Sequence, residues 1–418
     1  MRLSKIKIKN YKAIKDWEID LKPGFNLIKG MNGRGKTSIL EAIAVGMGGF
    51  LTGITGIEGR NFKKEEIRRE YVLSGNGSYT CLLKTPVEVG LTAQFEDEEE
   101  VFWSRRLNSI TSGRGTLKPD TIRKLAEKKA NSTEVPLPII NYQSASRIWA
   151  QKKETADNIF YKQYSRAMGY AKTLEDASDI VPMLNWCLKM EQTAFQINQK
   201  IAEYEAVKGA VERFMSLMNR GEAYSVFYDR QQEDLLYREG NFVLPVSHLS
   251  AGYQSLIWMV LDIACRMAVL NPFLKEHIAE SDGVVLIDEL DMHLHPKWQW
   301  RVIDALRGTF PNVQFIATTH SPILFVSARS VWIIDIDQDS ISYVSSHYGI
   351  DINTSVSNYQ STTYLPEELE QRVADITDNL DNMDYQAAQD KLNQLTQLVD
   401  ADSLIVAEMR TRLKMETS

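Results

Sequence analysis

The chain has little that would tie it to an oxidising compartment, a membrane or a polyanion. Its 418 residues include three cysteines, Cys81, Cys187 and Cys265, far apart and odd in number. That pattern gives neither a disulfide framework nor a paired-cysteine metal site, and it fits a reducing cytosol. No run of about 18 apolar residues occurs, so no membrane span is expected. The N-terminal Met-Arg-Leu-Ser-Lys-Ile-Lys-Ile-Lys alternates charge with aliphatic residues and lacks the continuous apolar stretch of a signal peptide. No heptad array is long enough for a coiled-coil arm, and there is no internal repeat. A basic excess is missing too. Lys and Arg total 48 against 55 Asp and Glu, a net charge of -7, which argues against a general DNA-coating surface.

What is present is an ordinary globular composition, 44% hydrophobic and 25% charged, at a length that suits two or three domain-sized units. Residues 3 to 29 alternate or run apolar as strands do. The spacing predicts a helix over Lys36 to Gly46, then a Gly- and Thr-rich loop to Gly59. Residues 71 to 107 read as antiparallel strands around an acidic turn, and 119 to 130 as a short basic helix. Residues 150 to 220 are mostly helical in pattern, and 224 to 246 look like strands. From 251 to 345 helix and strand alternate, the pattern of α/β layers. A polar loop covers 346 to 364, and an acidic helical tail carries two apolar stripes, Leu369-Val373-Ile376-Leu380 and Leu392-Leu395-Leu398.

Three motifs carry chemistry. Gly30-Met31-Asn32-Gly33-Arg34-Gly35-Lys36-Thr37 fits GxxxxGK[ST] between a strand and a helix. There, backbone N–H groups curl around phosphates, Lys36 supplies a point charge and Thr37 a hydroxyl for Mg²⁺, with Ser38 beside them. Val284-Val285-Leu286-Ile287-Asp288-Glu289 is an apolar strand ending in two carboxylates. In a P-loop enzyme the first holds Mg²⁺ through water and the second orients the attacking water. Leu249-Ser250-Ala251-Gly252-Tyr253-Gln254 precedes a long helix. Ser250 and Gly252 offer a hydroxyl and a bare backbone at its N-terminus, a phosphate site or an ordinary N-cap.

In this order, followed by Thr319-His320-Ser321-Pro322, the motifs resemble the ABC-type ATPase heads of the SMC/RecF-like class. The resemblance implies ATP and Mg²⁺ as cofactors, bound between two heads in a homodimer or higher oligomer. Gly30, Asn32, Gly33, Gly35, Lys36, Thr37 and Ser38 would hold nucleotide, Ser250 and Gly252 would complete the other head's γ-phosphate site, and Asp288 would hold metal. Glu289 would direct water and His320 would be the switch histidine. Asp291, in Leu290-Asp291-Met292-His293-Leu294-His295-Pro296, would lie on the D-loop at the interface. Gln143 is the candidate Q-loop glutamine on Mg²⁺. Ala251 departs from the glycine of the family signature.

Gly252-Tyr253-Gln254-Ser255-Leu256, the Glu-Leu-Asp-Met-His-Leu-His-Pro-Lys-Trp-Gln run and Tyr348-Gly349-Ile350-Asp351-Ile352-Asn353 are similar to the PtuA ATPases of Septu and related retron anti-phage systems. That resemblance implies a small HNH nuclease, PtuB-like, as partner. The apolar stripes of the C-terminal helices are the expected dock, because an acidic helical appendage adds nothing to ATP chemistry, although plain packing is the commoner role of such stripes.

Other features have blander readings. His293 and His295 sit within the D-loop run and lack further ligands at metal spacing. Asp335-Ile336-Asp337 resembles a nuclease DxD but reads better as strand-end aspartates, so no intrinsic nuclease centre is expected. Lys5 to Lys15, Arg105-Arg106 and Lys118 to Lys129 default to solvated faces, and together could touch nucleic acid.

The expected fold is α/β, a P-loop ABC-type ATPase head with an N-terminal antiparallel β lobe, an inserted helical lobe and a C-terminal helical appendage. The expected divisions are 1–148 for lobe I, 149–223 for the helical insertion, 224–345 for lobe II and 346–418 for the appendage. The alternatives are a RecF-like repair ATPase acting directly on DNA and the nucleotide domain of a transporter, whose P-loop-to-signature stretch is much shorter.

Overall fold

The structure, a computed structural model, describes residues 1–73, 78–96, 99–110, 115–145, 165–175, 181–219, 223–229, 234–337, 340–345, 348–349, 366–399 and 403–417. Residues Met1–Gly349 form one unit and Ile350–Ser418 a second.

The lysine–isoleucine alternation at the N-terminus becomes β1 (Arg2–Tyr11), with Ile6 and Ile8 buried. It pairs antiparallel with β2 (Ile14–Asp20), which sets Lys5, Lys7 and Lys9 opposite Asp20, Glu18 and Asp16. Further along the chain come β4 (Arg69–Leu73) and β5 (Tyr79–Leu83), a separate two-stranded hairpin, then β6 (Val87–Gln94), β7 (Val101–Leu107) and β8 (Thr116–Lys118). The order β2-β1-β6-β7-β8 makes an antiparallel sheet.

The second sheet runs β16-β15-β3-β14-β13-β9. Its strands are β3 (Phe25–Gly30), β9 (Ile139–Gln143), β13 (Gly283–Ile287), β14 (Val313–Thr318), β15 (Val331–Asp337) and β16 (Ser340–Ser345). All neighbours are parallel except the β15–β16 edge. The inner strands are apolar runs buried at nearly every position, as strands covered on both faces must be.

Helix α1 (Lys36–Leu51) packs against β1, β6 and β7 of one sheet and β3 and β14 of the other. It is buried at every residue from Ile39 to Leu51, the behaviour of a helix with no polar face. This corrects the expected helix end near Gly46. The helix continues five residues further, through Gly46, Gly48 and Gly49, because those glycines are close-packing positions. A Cβ at Gly46 would meet the Leu91 side chain at 2.6 Å, and one at Gly48 the Arg60 carbonyl at 2.7 Å. Trp103 Nε1 and the Arg105 guanidinium then donate to the Gly46 and Val45 carbonyls, at 2.8 and 3.0 Å. Packing outweighs the loss of roughly 1 kcal/mol in helix propensity per glycine.

Helix α2 is Thr121–Asn131. The inserted region shows α3 (Val181–Ile197) and α4 (Ala202–Asn219). Its expected helical pattern over 150–164 and 176–180 lies outside the described residues, as does the polar loop over 350–364. A small sheet of β10 (Tyr224–Asp229), β11 (Asp234–Glu239) and β12 (Phe242–Pro245) leads into α5 (Ala251–Leu270). Among the described residues α5 is the one helix long and apolar enough to cross a membrane, and it is mostly buried inside the protein. It is followed by the short α6 (Pro296–Gln299), α7 (Val302–Thr309) and α8 (Pro322–Ser327).

The second unit has helices α9 (Glu367–Asp381), α10 (Tyr385–Leu398) and α11 (Leu404–Thr417). Ile376, Leu380, Leu392, Leu395, Val406 and Met409 form its own core, while Leu398 is exposed.

Candidate functional site

Three neighbouring parallel strands, β3, β14 and β13, end side by side, and the loops after them build the site. Ligand sites of open α/β sheets lie at this carboxyl edge. After β3 the chain must turn sharply into α1. Gly35 makes the turn at φ 94° as the helix N-cap, a left-handed conformation that glycine adopts without the Cβ penalty. Asn32 and Gly33 are exposed on the loop. Lys36 is buried, and its ammonium donates to the Gly30 and Met31 carbonyls at 2.5 and 3.1 Å, so the lysine folds back over its own loop. Burial pulls its pKa down, against the nearby charges of Asp288, Glu289 and Asp291.

Asp288, just past β13, is 2% exposed. One of its oxygens accepts hydroxyl hydrogen bonds from Thr37 at 3.1 Å and Thr318 at 2.5 Å. Glu289 follows at φ 49°, and its N–H donates to Thr318 Oγ1 at 2.8 Å. Asp291 accepts from the Thr319 hydroxyl and from the His320 N–H. His320 is exposed, just before α8. The carboxylates of Asp288 and Asp291 and the backbone N–H of Glu289 are thus tied to Thr318, Thr319 and His320 at the end of β14, and Asp288 also to Thr37 in the first turn of α1.

The signature is held by different partners. Gln254 Nε2 donates to the Ser247 and Leu249 carbonyls at 2.9 and 2.7 Å. Gly252 is buried against the D-loop, and a Cβ there would meet the His293 carbonyl at 2.6 Å. Ser250 stands at the N-cap of α5, exposed, and its hydroxyl does not cap the helix. His295 caps α6 by accepting from Lys297 N through Nδ1 at 3.2 Å. Asp335 pairs with Lys29 at 2.8 Å.

Gln143, at the end of β9, is fully buried and its amide NH₂ donates to Asn141 Oδ1 and Asp262 Oδ2 at 2.7 and 2.8 Å. Asp262 lies on α5 and is also bonded by Arg266 at 2.9 Å. The Gln143 side chain is thus fastened to the signature helix, while its backbone carbonyl accepts the Asp288 N–H at 2.8 Å. Its Oε1 is buried with no hydrogen-bond partner.

Members of the basic stretches are already engaged within the protein. Lys5 pairs with Glu18 and Asp20, at 2.7 and 3.6 Å. Arg105 is buried, donating to the Val45 and Arg60 carbonyls and to Asn61, and burial pushes its pKa down to about 10.

Sequence patterns missed Thr318 and Asp262. A threonine at a strand end and an acid within a helix carry no signal alone. Thr318 gains its place because β14 inserts between β3 and β13, with Ala317 level with Ile287 and Thr318 one step beyond.

Residues 5–211 match the AAA domain family model. The chain is 26% identical over 386 residues to the protein named Retron Vc95 probable ATPase from Vibrio cholerae serotype O1 biovar El Tor, covering 79% of this chain and 72% of the relative. It is 25% identical over 355 residues to Septu protein PtuA from Bacillus thuringiensis, covering 82% and 78%. Among solved structures it is similar to the SmcHead bound to the C-winged helix domain of ScpA, with a TM-score of 0.50 at 18% identity, covering 82% of this chain and 98% of that one. The fold is thus that of an SMC head, carried by a sequence similar to proteins named as a retron probable ATPase and as Septu PtuA.

Proposed function

We propose that the chain binds ATP with Mg²⁺ and hydrolyses it slowly between two heads, as the cytoplasmic ATPase of an anti-phage defence system that scaffolds and controls a small HNH nuclease. The observation that carries the ATPase reading is the convergence of Lys36, Thr37, Asp288 and Glu289 where β3 and β13 end, closed by the Thr37–Asp288 hydrogen bond. The donor set fits Mg²⁺, a hard cation that takes oxygen ligands: a hydroxyl and a carboxylate oxygen already meet there. Bound Mg²⁺ would neutralise developing phosphate charge.

The chain's own residues would do the rest. Lys36 is held by two neutral carbonyls, so an anionic phosphate would be the stronger partner for its ammonium. Backbone N–H groups from Gly33 to Ser38 would take the phosphate oxygens. Glu289 would accept the proton of the attacking water, and Ser250 and Gly252 of the second head would close over the γ-phosphate. Turnover would be slow because each cycle opens a protein interface.

The defence reading is supported by the retron and Septu relatives. The C-terminal unit supports a protein partner. Residues 350–418 hold 13 Asp and Glu against 5 Lys and Arg, and Met383, Leu398 and Met415 are exposed there. Direct DNA work of the RecF kind is less well supported, since Lys5 and Lys7 are paired with acids and Arg105 is buried.

The test is to tag the chain, express it with its neighbouring genes and identify stoichiometric companions by mass. A small HNH nuclease that is lost when residues 367–418 are trimmed supports the proposal. A chain without protein companion that retains DNA through salt washing replaces it with the repair reading.

A further inference from the structure

Thr318 is a buried residue outside the four sequence motifs, yet both acids of the hydrolytic pair depend on it. A hydroxyl has one proton to give and lone pairs to receive. Thr318 gives its proton to Asp288 Oδ1 at 2.5 Å, the short distance of a charge-assisted bond, and accepts the Glu289 N–H at 2.8 Å. Its backbone carbonyl takes the next N–H, that of Leu290, at 2.9 Å. Between those two anchors Glu289 is held at φ 49°. A non-glycine residue reaches that region at a cost of about 1–2 kcal/mol, so the turn persists because neighbours hold it.

We infer that Thr318 is a positioning residue for hydrolysis: its hydroxyl fixes the Asp288 carboxylate toward Thr37 and fixes the turn that aims Glu289. The inference rests on the proposed roles of Asp288 and Glu289. It assigns Thr318 no contact with nucleotide. Its loss therefore weighs on the chemical step more than on nucleotide binding, which Lys36 and the P-loop backbone would carry. Misplacing a reacting group by about 1 Å can cost on the order of 100-fold in rate.

The experiment compares full-length wild type, Thr318→Val, Thr318→Ser and Glu289→Gln by steady-state ATP hydrolysis, with thermal midpoints as a folding control. Thr318→Val keeps the shape and removes the hydroxyl; Thr318→Ser keeps the hydroxyl. The expected result is a kcat lowered on the order of 10- to 100-fold for the valine variant with KM for ATP near wild type, and recovery in the serine variant. Should the valine variant not fold, Thr318→Ala replaces it, with retained binding of a fluorescent ATP analogue as its control. Wild-type kcat in the valine or alanine variant overturns the inference. So does equal loss in the serine variant, which would assign the effect to the methyl group, or a rise in KM alone. If Glu289→Gln itself hydrolyses ATP at the wild-type rate, the underlying assignment of the acids fails instead.

Discussion

Gly252 and His293 show how single residues tie the start of α5 to the segment that follows β13. The His293 carbonyl lies 2.6 Å from where a Cβ at Gly252 would stand, and His293 itself has φ 64°. Neither backbone can retreat cheaply. Gly252→Ala is therefore expected to destabilise the protein by about 1–3 kcal/mol, seen as a lower thermal midpoint, and to reduce ATP turnover together with it. An unchanged midpoint with normal turnover would show that the signature and D-loop can shift apart. The P-loop, the two acids and the signature were legible because each is a contiguous run whose local geometry the residues themselves dictate. Thr318 and Asp262 were not legible, because their partners arrive from strands and helices distant in sequence. Gln143 lies between these cases. Its position after an apolar strand was readable, while the direction of its amide, into Asp262, depends on where α5 packs.

At the scale of elements, α1 carries the clearest lesson. Its glycines read as loop by propensity, and the helix nonetheless continues to Leu51 because two sheets close on it. Arg105 is part of that clamp. Its guanidinium serves three acceptors, the Val45 and Arg60 carbonyls and Asn61 Oδ1, which a lysine ammonium cannot match with the same planar fork. Arg105→Lys should cost on the order of 2 kcal/mol, measured by denaturant unfolding at neutral pH. A stability equal to wild type would mean that the three acceptors are served by other donors. The same residue illustrates why charge counted along the sequence misplaces function. Arg105 and Arg106 are adjacent, but strand alternation buries the first and exposes the second.

For the whole molecule, the net charge of -7 conceals an uneven distribution. The C-terminal unit holds the acidic excess, and it has a hydrophobic core of its own. Ending the chain at Gly349 is expected to leave the head folded and its ATP affinity unchanged, checked by thermal melting and nucleotide titration. Loss of ATP binding on that truncation would show that the C-terminal unit is needed to maintain the nucleotide site. The layered α/β architecture was readable from the alternation of patterns after residue 251. The strand order was not, since it is fixed by long-range pairing such as β9 beside β13, which a local pattern does not encode.

The central claim is that ATP is hydrolysed by Glu289 at an interface between two heads. The most direct test is light scattering of Glu289→Gln with and without ATP and Mg²⁺, alongside its turnover. The account predicts turnover reduced by about 10²- to 10⁴-fold and an ATP-dependent, stable dimer or higher assembly. Turnover at the wild-type rate, or a mass that ATP leaves at that of one chain, would contradict it.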